Sequence, residues 1–367
     1  MLETIWFLLW GVLWAGYFVL DGFDLGMGTL MPFLAKDEFD KRTIYNAAGP
    51  FWDGNEVWLI SAGGVTFAAF PQAYATMFSG LYSALMLLLY ALIIRGVSFE
   101  FRSKVESPAW RSLWDACHSV GSFLPALLLG VAFANIFKGL PINEQHVNTG
   151  GLLDLLNPYG LLGGVLFVAM FCMHGALWLN IRATGPIRER ALCAAKNLWP
   201  AVLVLVLAFL AYSSVVTQLF GNYFKNPHLF LILAAAVAGL VYSRFTMGDK
   251  NPWKAWVGSA VFIACTTLFG VVGLFPAILP SSLNPAWSLT IMNASSSQLT
   301  LKIMLGVALV FVPVVIAYQF WVYRNFSQAH RSGAASVPSK HCTRKSPPSA
   351  TAVGGLSLCG RNSGGWG

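Results

Sequence analysis

The sequence predicts an all-α, polytopic membrane protein, and three observations support this fold class. Of 367 residues, 56% are hydrophobic and only 10% are charged, whereas soluble domains usually carry about 25% charged residues. Apolar runs recur at close to the roughly 20 residues that a helix needs to cross a bilayer. Runs such as 85–94 and 201–211 are apolar on all sides, which excludes the alternation of β-barrel strands. A soluble enzyme, a disordered protein and a disulfide-stapled secreted domain are also excluded.

Taken in chain order, the apolar runs give nine predicted spans. They are 5–31, 54–75, 77–95, 113–137, 155–181, 198–220, 228–245, 255–276 and 299–323. Most contain an apolar run of bilayer length, but Asp21 and Asp24 interrupt the first span. The uncharged run of the second, 57–70, is too short to cross alone. That span must therefore include Glu56, and we expect Asp53 as well, or be sheltered by other helices.

The basic residues alternate between the two sides of these nine spans. Counted loop by loop, 20 lie on one side and 3 on the other, which places the N-terminus outside and the C-terminus in the cytoplasm. The net charge of +8 is therefore a topology signal and does not indicate nucleic-acid binding. The first basic residue is Lys36, so no cleavable signal peptide is expected. We predict a transmembrane domain over 1–326 and a disordered cytoplasmic tail, rich in Ser, Gly and Pro, over 327–367.

Four acidic residues are candidates for chemistry. Asp21 and Asp24, like Asp53 and Glu56, are spaced i, i+3, which places each pair on one helix face. The predicted topology puts all four in the cytoplasmic half of the bilayer, where ionisable groups are costly. One hypothesis is a proton entry path. The structural alternative is that Asp53 caps the second span while Asp21 pairs with Arg95.

Other residue types give weaker signals for a site. His118 and His174 are the only histidines inside predicted spans. Because neither has a supporting motif, we interpret them as buried histidines with hydrogen-bond partners rather than as haem ligands. The six cysteines contain no C-x-x-C pair, and no metal site is predicted. Trp52 could flank a quinone ring, although an aromatic belt at the membrane interface is the simpler interpretation.

The order and spacing of several motifs resemble subunit II of cytochrome bd quinol oxidase. Two long motifs carry most of the resemblance, Asp21–Gly26 (DGFDLG) and Trp52–Ile60 (WDGNEVWLI). Shorter matches extend it from residue 1 to about 325, at Ala62–Gly64, Phe78–Gly80, Phe101–Lys104, Trp110–Arg111, Trp114–Asp115, Leu156–Pro158, Phe275–Pro276 and Ser295–Thr300. Asn293 departs from the Asp common in relatives, and the chain after about 330 matches no recognised pattern.

This resemblance implies a fold and a set of partners. Nine helices would form two four-helix bundles plus one peripheral helix, in a bacterial cytoplasmic (inner) membrane. A larger subunit I would hold haem b and haem d, oxidise quinol and reduce O2 to water, and this chain would ligate no haem. Protons would enter from the cytoplasm and quinol protons would leave outside, so a gradient forms without pumping. The resemblance also allows for a small accessory subunit.

The resemblance assigns expected roles to individual residues. Asp21 and Asp53 match positions linked to proton uptake, with Asp24 and Glu56 beside them. Arg95 and Asp115 match positions associated with the integrity of the haem site across the subunit interface. Trp52 matches the tryptophan near which some members hold a bound quinone.

Two other functions remain open from the sequence. A standalone proton-coupled secondary transporter would show inverted repeats and broken helices around a midplane site, and no clear repeat is evident. A structural scaffold would use the same acids only as caps and ion pairs. Replacing Asp21 or Asp53 by Asn distinguishes the scaffold from the oxidase subunit.

Overall fold

Helices dominate the computed structural model, which describes residues 1–326, so the predicted tail lies outside the described residues. The helices are α1 (Leu2–Leu34), α2 (Glu38–Ala48), α3 (Trp52–Ala69), α4 (Pro71–Gly80), α5 (Tyr82–Phe101), α6 (Pro108–Lys138), α7 (Pro158–Arg182), α8 (Pro186–Val216), α9 (Phe220–Lys225), α10 (Phe230–Thr246), α11 (Trp253–Leu274) and α12 (Gln298–Phe326). A short antiparallel pair, β1 (Ala277–Leu279) and β2 (Leu289–Thr290), joins the last two helices.

The all-α, multi-pass fold predicted from the sequence is confirmed. Within residues 1–326, eight segments are helical, long and apolar enough to cross a membrane: α1, α5, α6, α7, α8, Pro227–Thr246, α11 and α12. Helix α3 is the counterpart of the remaining predicted span, but it is not among the eight. It has 18 residues and carries Asp53 and Glu56 near its start. The count of nine spans, the orientation and the arrangement in two bundles stay predictions.

Two predicted boundaries were wrong, because the second and third spans were drawn across helix breaks. Helix α3 ends at Ala69, and Phe70 has non-helical dihedrals (φ −134°, ψ 62°). Proline at position 71 explains the break, since its ring disfavours helical geometry at the residue before it. Leu81 separates α4 from α5 (φ −98°, ψ 14°). The span predicted as 77–95 is instead the helix 82–101.

Helix α2 was not predicted, since its segment was interpreted only as a basic loop. The side chain of Asp37 caps it by accepting a hydrogen bond from the backbone N–H of Asp40 at 2.8 Å. One side of α2 is buried through Ile44, Tyr45 and Ala47. Among its charged residues, Asp40 is also buried, Glu38 and Lys41 are partly exposed, and Arg42 is exposed.

Helix α1 lies at the centre of the molecule and contacts α3, α6, α7 and α11. A β-carbon on Gly26 would overlap the backbone carbonyl oxygen of Phe171 in α7, and one on Gly175 would lie 2.5 Å from the backbone nitrogen of Met27. Small residues at such crossings let two helix backbones approach closely. This close approach fixes the depth and rotation of Asp21 and Asp24.

Helix α12 lies at the periphery and contacts the remainder of the described chain mainly near its two ends. At one end the indole N–H of Trp6 donates to the backbone carbonyl of Leu301 at 3.1 Å. At the other end, Gln319 and Tyr323 hydrogen-bond to α3. Between them, apolar side chains such as Val307 and Phe311 are exposed.

Candidate functional site

A buried ion cluster joins three helices in the interior of the molecule. The guanidinium of Arg95 (α5) donates to both carboxylate oxygens of Asp21 (α1), at 2.9 and 3.3 Å. The same group donates to Glu56 (α3) at 2.9 Å. The side chains of Arg95 and Asp21 are fully buried, whereas that of Glu56 is 22% exposed. The ion pair between Asp21 and Arg95 that the structural alternative predicted is therefore present, and Glu56 forms the exposed edge of the cluster.

The charges of this cluster do not balance within the described part of the chain. Asp24 lies one helical turn from Asp21 and is also buried, so three carboxyl groups surround one guanidinium. Three polar atoms here are buried without a hydrogen-bond partner among the described residues: the hydroxyl of Tyr17, Oδ1 of Asp24 and Nε of Arg95. Unpartnered polar atoms at such depth are costly unless water or a ligand satisfies them.

Asp24 is connected to α3 and α12 by a short hydrogen-bonded chain. Nδ2 of Asn55 donates to Oδ2 of Asp24 at 2.7 Å and to the backbone carbonyl of Leu20 at 3.0 Å. The hydroxyl of Tyr323 donates to Oδ1 of Asn55 at 2.8 Å. Asn55 therefore connects α1, α3 and α12 beside the Asp24 carboxylate.

Asp53 is placed differently from the other three predicted acids. It is exposed in the first turn of α3, and no hydrogen bond or ion pair joins it to the cluster within residues 1–326. It is not the helix cap that the structural alternative proposed, because the N-cap is Phe51. The i, i+3 spacing puts Asp53 one turn from Glu56 on the outer side of the cluster. The structure thus gathers Asp21, Asp24 and Glu56, with Asp53 at their exposed end.

A second ion cluster includes Asp115, which is buried near the start of α6. The guanidinium of Arg102 donates to both Asp115 and Glu38, and Lys41 donates to Asp115 at 2.9 Å. These contacts tie α2 to α5 and α6. The hydrogen bonds from Arg102 lower the pKa of Glu38 to about 2, against the opposing effect of partial burial. Arg95 and Asp115, each expected to support the haem site, therefore belong to different clusters.

Trp52 lines a polar cavity of about 530 Å³ beside the second cluster. Its indole stacks on Phe99 with ring centroids 4.9 Å apart and an interplanar angle of 2°. Tyr45, Arg102 and Arg111 also line this cavity. The space is large enough for an aromatic head group, and aromatic and charged side chains border it.

Both buried histidines have hydrogen-bond partners, as predicted for satisfied core residues. Nδ1 of His118 lies 3.1 Å from the hydroxyl of Ser98. Nδ1 of His174 lies 2.6 Å from the hydroxyl of Ser259, and its Nε2 lies 3.0 Å from the backbone carbonyl of Val19. Within residues 1–326, no group of three or more His, Cys, Asp or Glu side chains could hold a metal ion.

Sequence reasoning missed Tyr323, Arg102 and Glu38 as members of these clusters. Tyr323 lies 268 residues from its partner Asn55, a separation at which helical periodicity carries no information. Arg102 was counted only as a loop charge, and Glu38 was not considered. Their positions at the ends of α5 and α2 were the available signal, since buried arginines usually require acidic partners.

Comparison with known proteins places the chain in a defined group. The family model described as cytochrome bd terminal oxidase subunit II matches residues 2–326. Cytochrome bd-I ubiquinol oxidase subunit 2 of Escherichia coli (strain K12) is 39% identical over 357 residues, covering 88% of this chain and 93% of that protein. Cytochrome bd ubiquinol oxidase subunit 2 of Bacillus subtilis (strain 168) is 38% identical over 328 residues, covering 89% and 96%. Among solved structures, the bd oxidase from Geobacillus thermodenitrificans shares the fold, with a TM-score of 0.71 at 17% identity over 89% of this chain and 98% of that chain.

Proposed function

This chain belongs to the cytochrome bd terminal oxidase subunit II family, and from that premise we propose that it supplies protons for oxygen reduction in a partner subunit. As a family member it is a multi-pass inner-membrane component of a bd-type oxidase, an oxidoreductase of the respiratory chain. This membership favours the oxidase subunit over the standalone transporter.

The haems of the oxidase are proposed to lie in subunit I. The family implies haems b and d, but the two histidines inside the described membrane-spanning helices already have hydrogen-bond partners and are not proposed as haem ligands. His174 has hydrogen-bond partners at both ring nitrogens, and His118 is hydrogen-bonded to Ser98. The contribution proposed for this chain therefore comes from its carboxyl groups.

The buried cluster around Arg95 is the observation that carries the proposal. Three fully ionised carboxylates beside one guanidinium would leave an excess negative charge of two in the membrane interior, which is strongly unfavourable. A proton bound by one carboxyl group reduces this excess, so the cluster can accept and release protons. Arg95 limits the cost of the remaining negative charge and holds Asp21 in place.

The helix positions give the proposed route a direction. Asp53 lies at the exposed start of α3, Glu56 follows one turn deeper, and Asp21 lies across the guanidinium of Arg95. In the predicted orientation, these three acids follow one another from the cytoplasmic side toward the membrane interior. Cytoplasmic protons would thus be consumed in water formation while quinol protons leave outside, contributing to the proton gradient without pumping.

The exposed surface of α3 supports a partner at this face. Asp53 is exposed there, and so are the apolar side chains of Val57 and Ile60. Lipid cannot solvate a carboxylate, but water and a second protein subunit can. We propose that subunit I covers this face and receives the protons. The polar cavity beside Trp52 is proposed as the place where a quinone head group contacts this chain.

Replacing the acids one at a time tests the proton route. Asp21→Asn, Asp24→Asn, Asp53→Asn and Glu56→Gln each remove one proton-carrying group with little change in size. We expect complexes with an unchanged reduced-minus-oxidised haem spectrum and a rate of quinol-dependent oxygen uptake at least about tenfold lower. Asp249→Asn, which removes an exposed pair with Lys254, is the matched control. Full activity of the Asp21 and Glu56 variants with intact haem content would leave only the scaffold role.

A further inference from the structure

Tyr323 reaches the buried acids from the last helix. Its ring packs against Phe51, with centroids 4.6 Å apart, and against Trp178 at 5.8 Å. Its hydroxyl donates to Oδ1 of Asn55 at 2.8 Å. Asn55 is 1% exposed, so its amide depends on protein partners for hydrogen bonding.

The three partners of Asn55 determine the orientation of its amide. The carbonyl of Leu20 and the carboxylate of Asp24 accept from Nδ2, while the tyrosine hydroxyl donates to Oδ1. If the hydroxyl were absent, Oδ1 would be buried without a donor. The side chain could then rotate to find one, and it would lose or lengthen the bond to Asp24.

Building on the proposed proton route, we propose that Tyr323 is a positioning residue that controls proton exchange at Asp24 through Asn55. The hydroxyl holds the amide so that an N–H always faces the carboxylate. The other charged groups around Asp24 are Arg95, Asp21 and Glu56, and none of these lies on α12. The last helix is thus connected to the proton route by one hydrogen-bonded chain.

A neighbouring residue provides a control for simple tethering of α12. Gln319 also links α12 to α3, but its partners are the indole N–H of Trp58 at 3.0 Å and the carbonyl of Gly54 at 3.1 Å. Replacing Gln319 by Leu removes a tether without touching Asn55. Tyr318 is 62% exposed on the same helix, so Tyr318→Phe controls for the loss of a phenol.

The test compares Tyr323→Phe, Gln319→Leu and Tyr318→Phe in the assembled oxidase. Two readouts are the pH profile of quinol-dependent oxygen uptake and the infrared difference band of Asp24, identified by its loss in Asp24→Asn. We expect Tyr323→Phe to move the midpoint of the pH profile by about one unit and to shift that band. The other two variants should match the wild type. Asn55→Ala removes the same bond to Asp24 and should shift the band as well.

Two results would overturn the inference. One is a wild-type band and pH profile in both Tyr323→Phe and Asn55→Ala. The other is an equal change in Gln319→Leu, which would mean that α12 acts only as a tether. Failure of the proposed function looks different: Asp24→Asn and Asp21→Asn would then retain full activity, whatever the band does in Tyr323→Phe.

Discussion

At the scale of single residues, Arg95 determines whether the buried acids can coexist. It is fully buried and binds Asp21 and Glu56 directly. Removing one partner of a buried ion pair leaves an uncompensated charge and typically costs about 3 kcal/mol or more. The expected role of Arg95 in haem-site integrity therefore has a physical basis inside this chain.

For Arg95→Ala we predict a complex with lower haem content and a lower midpoint of thermal unfolding. The haem-to-protein ratio of the purified oxidase measures the first effect, and thermal unfolding measures the second. Arg111→Ala is the control, because Arg111 is partly exposed and only 3.8 Å from Glu38 at its closest. An unchanged absorption spectrum and midpoint in Arg95→Ala would contradict this role.

Glu38 provides a prediction about pH dependence. Its pKa is lowered in the folded protein to about 2, so the carboxylate contributes stability above its ordinary pKa of about 4.3. This contribution is lost as the pH falls toward 2, since the unfolded chain then binds the proton first. The difference in melting temperature between wild type and Glu38→Gln should be constant above about pH 5 and shrink below it. Glu106→Gln, at an exposed position, should show no such trend; an equal trend in both variants would argue against the Glu38–Arg102 pair.

Residue types and spacing predicted part of the site. The i, i+3 spacing of Asp21 and Asp24 and the scarcity of charge pointed to these positions, and the pair of Asp21 with Arg95 was the predicted structural alternative to a proton path. The sequence did not predict that Glu56 binds Arg95 while Asp53 remains exposed. Spacing alone does not tell which residue of a pair faces a neighbouring helix. Asn55 and Tyr323 meet only through the three-dimensional packing of α12.

At the scale of elements, apolar runs located the helices but not their ends. Runs of bilayer length are strong signals, whereas Pro71 lies inside an apolar stretch that hydropathy alone reads as continuous. Helix α2 escaped prediction because its charges resemble those of a loop. Its cap at Asp37 and its buried side were the local signals for a helix.

The crossing of α1 and α7 gives a prediction for one element contact. Gly26→Ala would place a methyl group onto the carbonyl of Phe171, so the two helices must separate. We expect destabilisation of at least about 2 kcal/mol and a reduced yield of assembled oxidase. Gly306→Ala in α12 adds a methyl group in open space and should change stability by less than about 0.5 kcal/mol. Equal yield and thermal stability for both variants would show that the crossing tolerates a side chain.

At the scale of the whole molecule, the structure combines a well-packed interior with outer faces whose side chains are largely exposed. Helix α1 is surrounded by other helices, whereas most side chains of α12 are exposed. The acids lie between these two zones, with Glu56 and Asp53 toward the exposed side of α3. A subunit that passes protons to a neighbour needs this placement, since the route must begin in water and end at an interface.

The most direct test of the proposed proton route is the rate of proton uptake during a single turnover. The fully reduced oxidase is mixed with oxygen in the presence of a pH indicator, and wild type is compared with Asp21→Asn at equal haem content. We predict that the variant takes up protons at least about tenfold more slowly than wild type. Proton uptake at the wild-type rate in Asp21→Asn would contradict the claim that the buried cluster carries protons to the site of oxygen reduction.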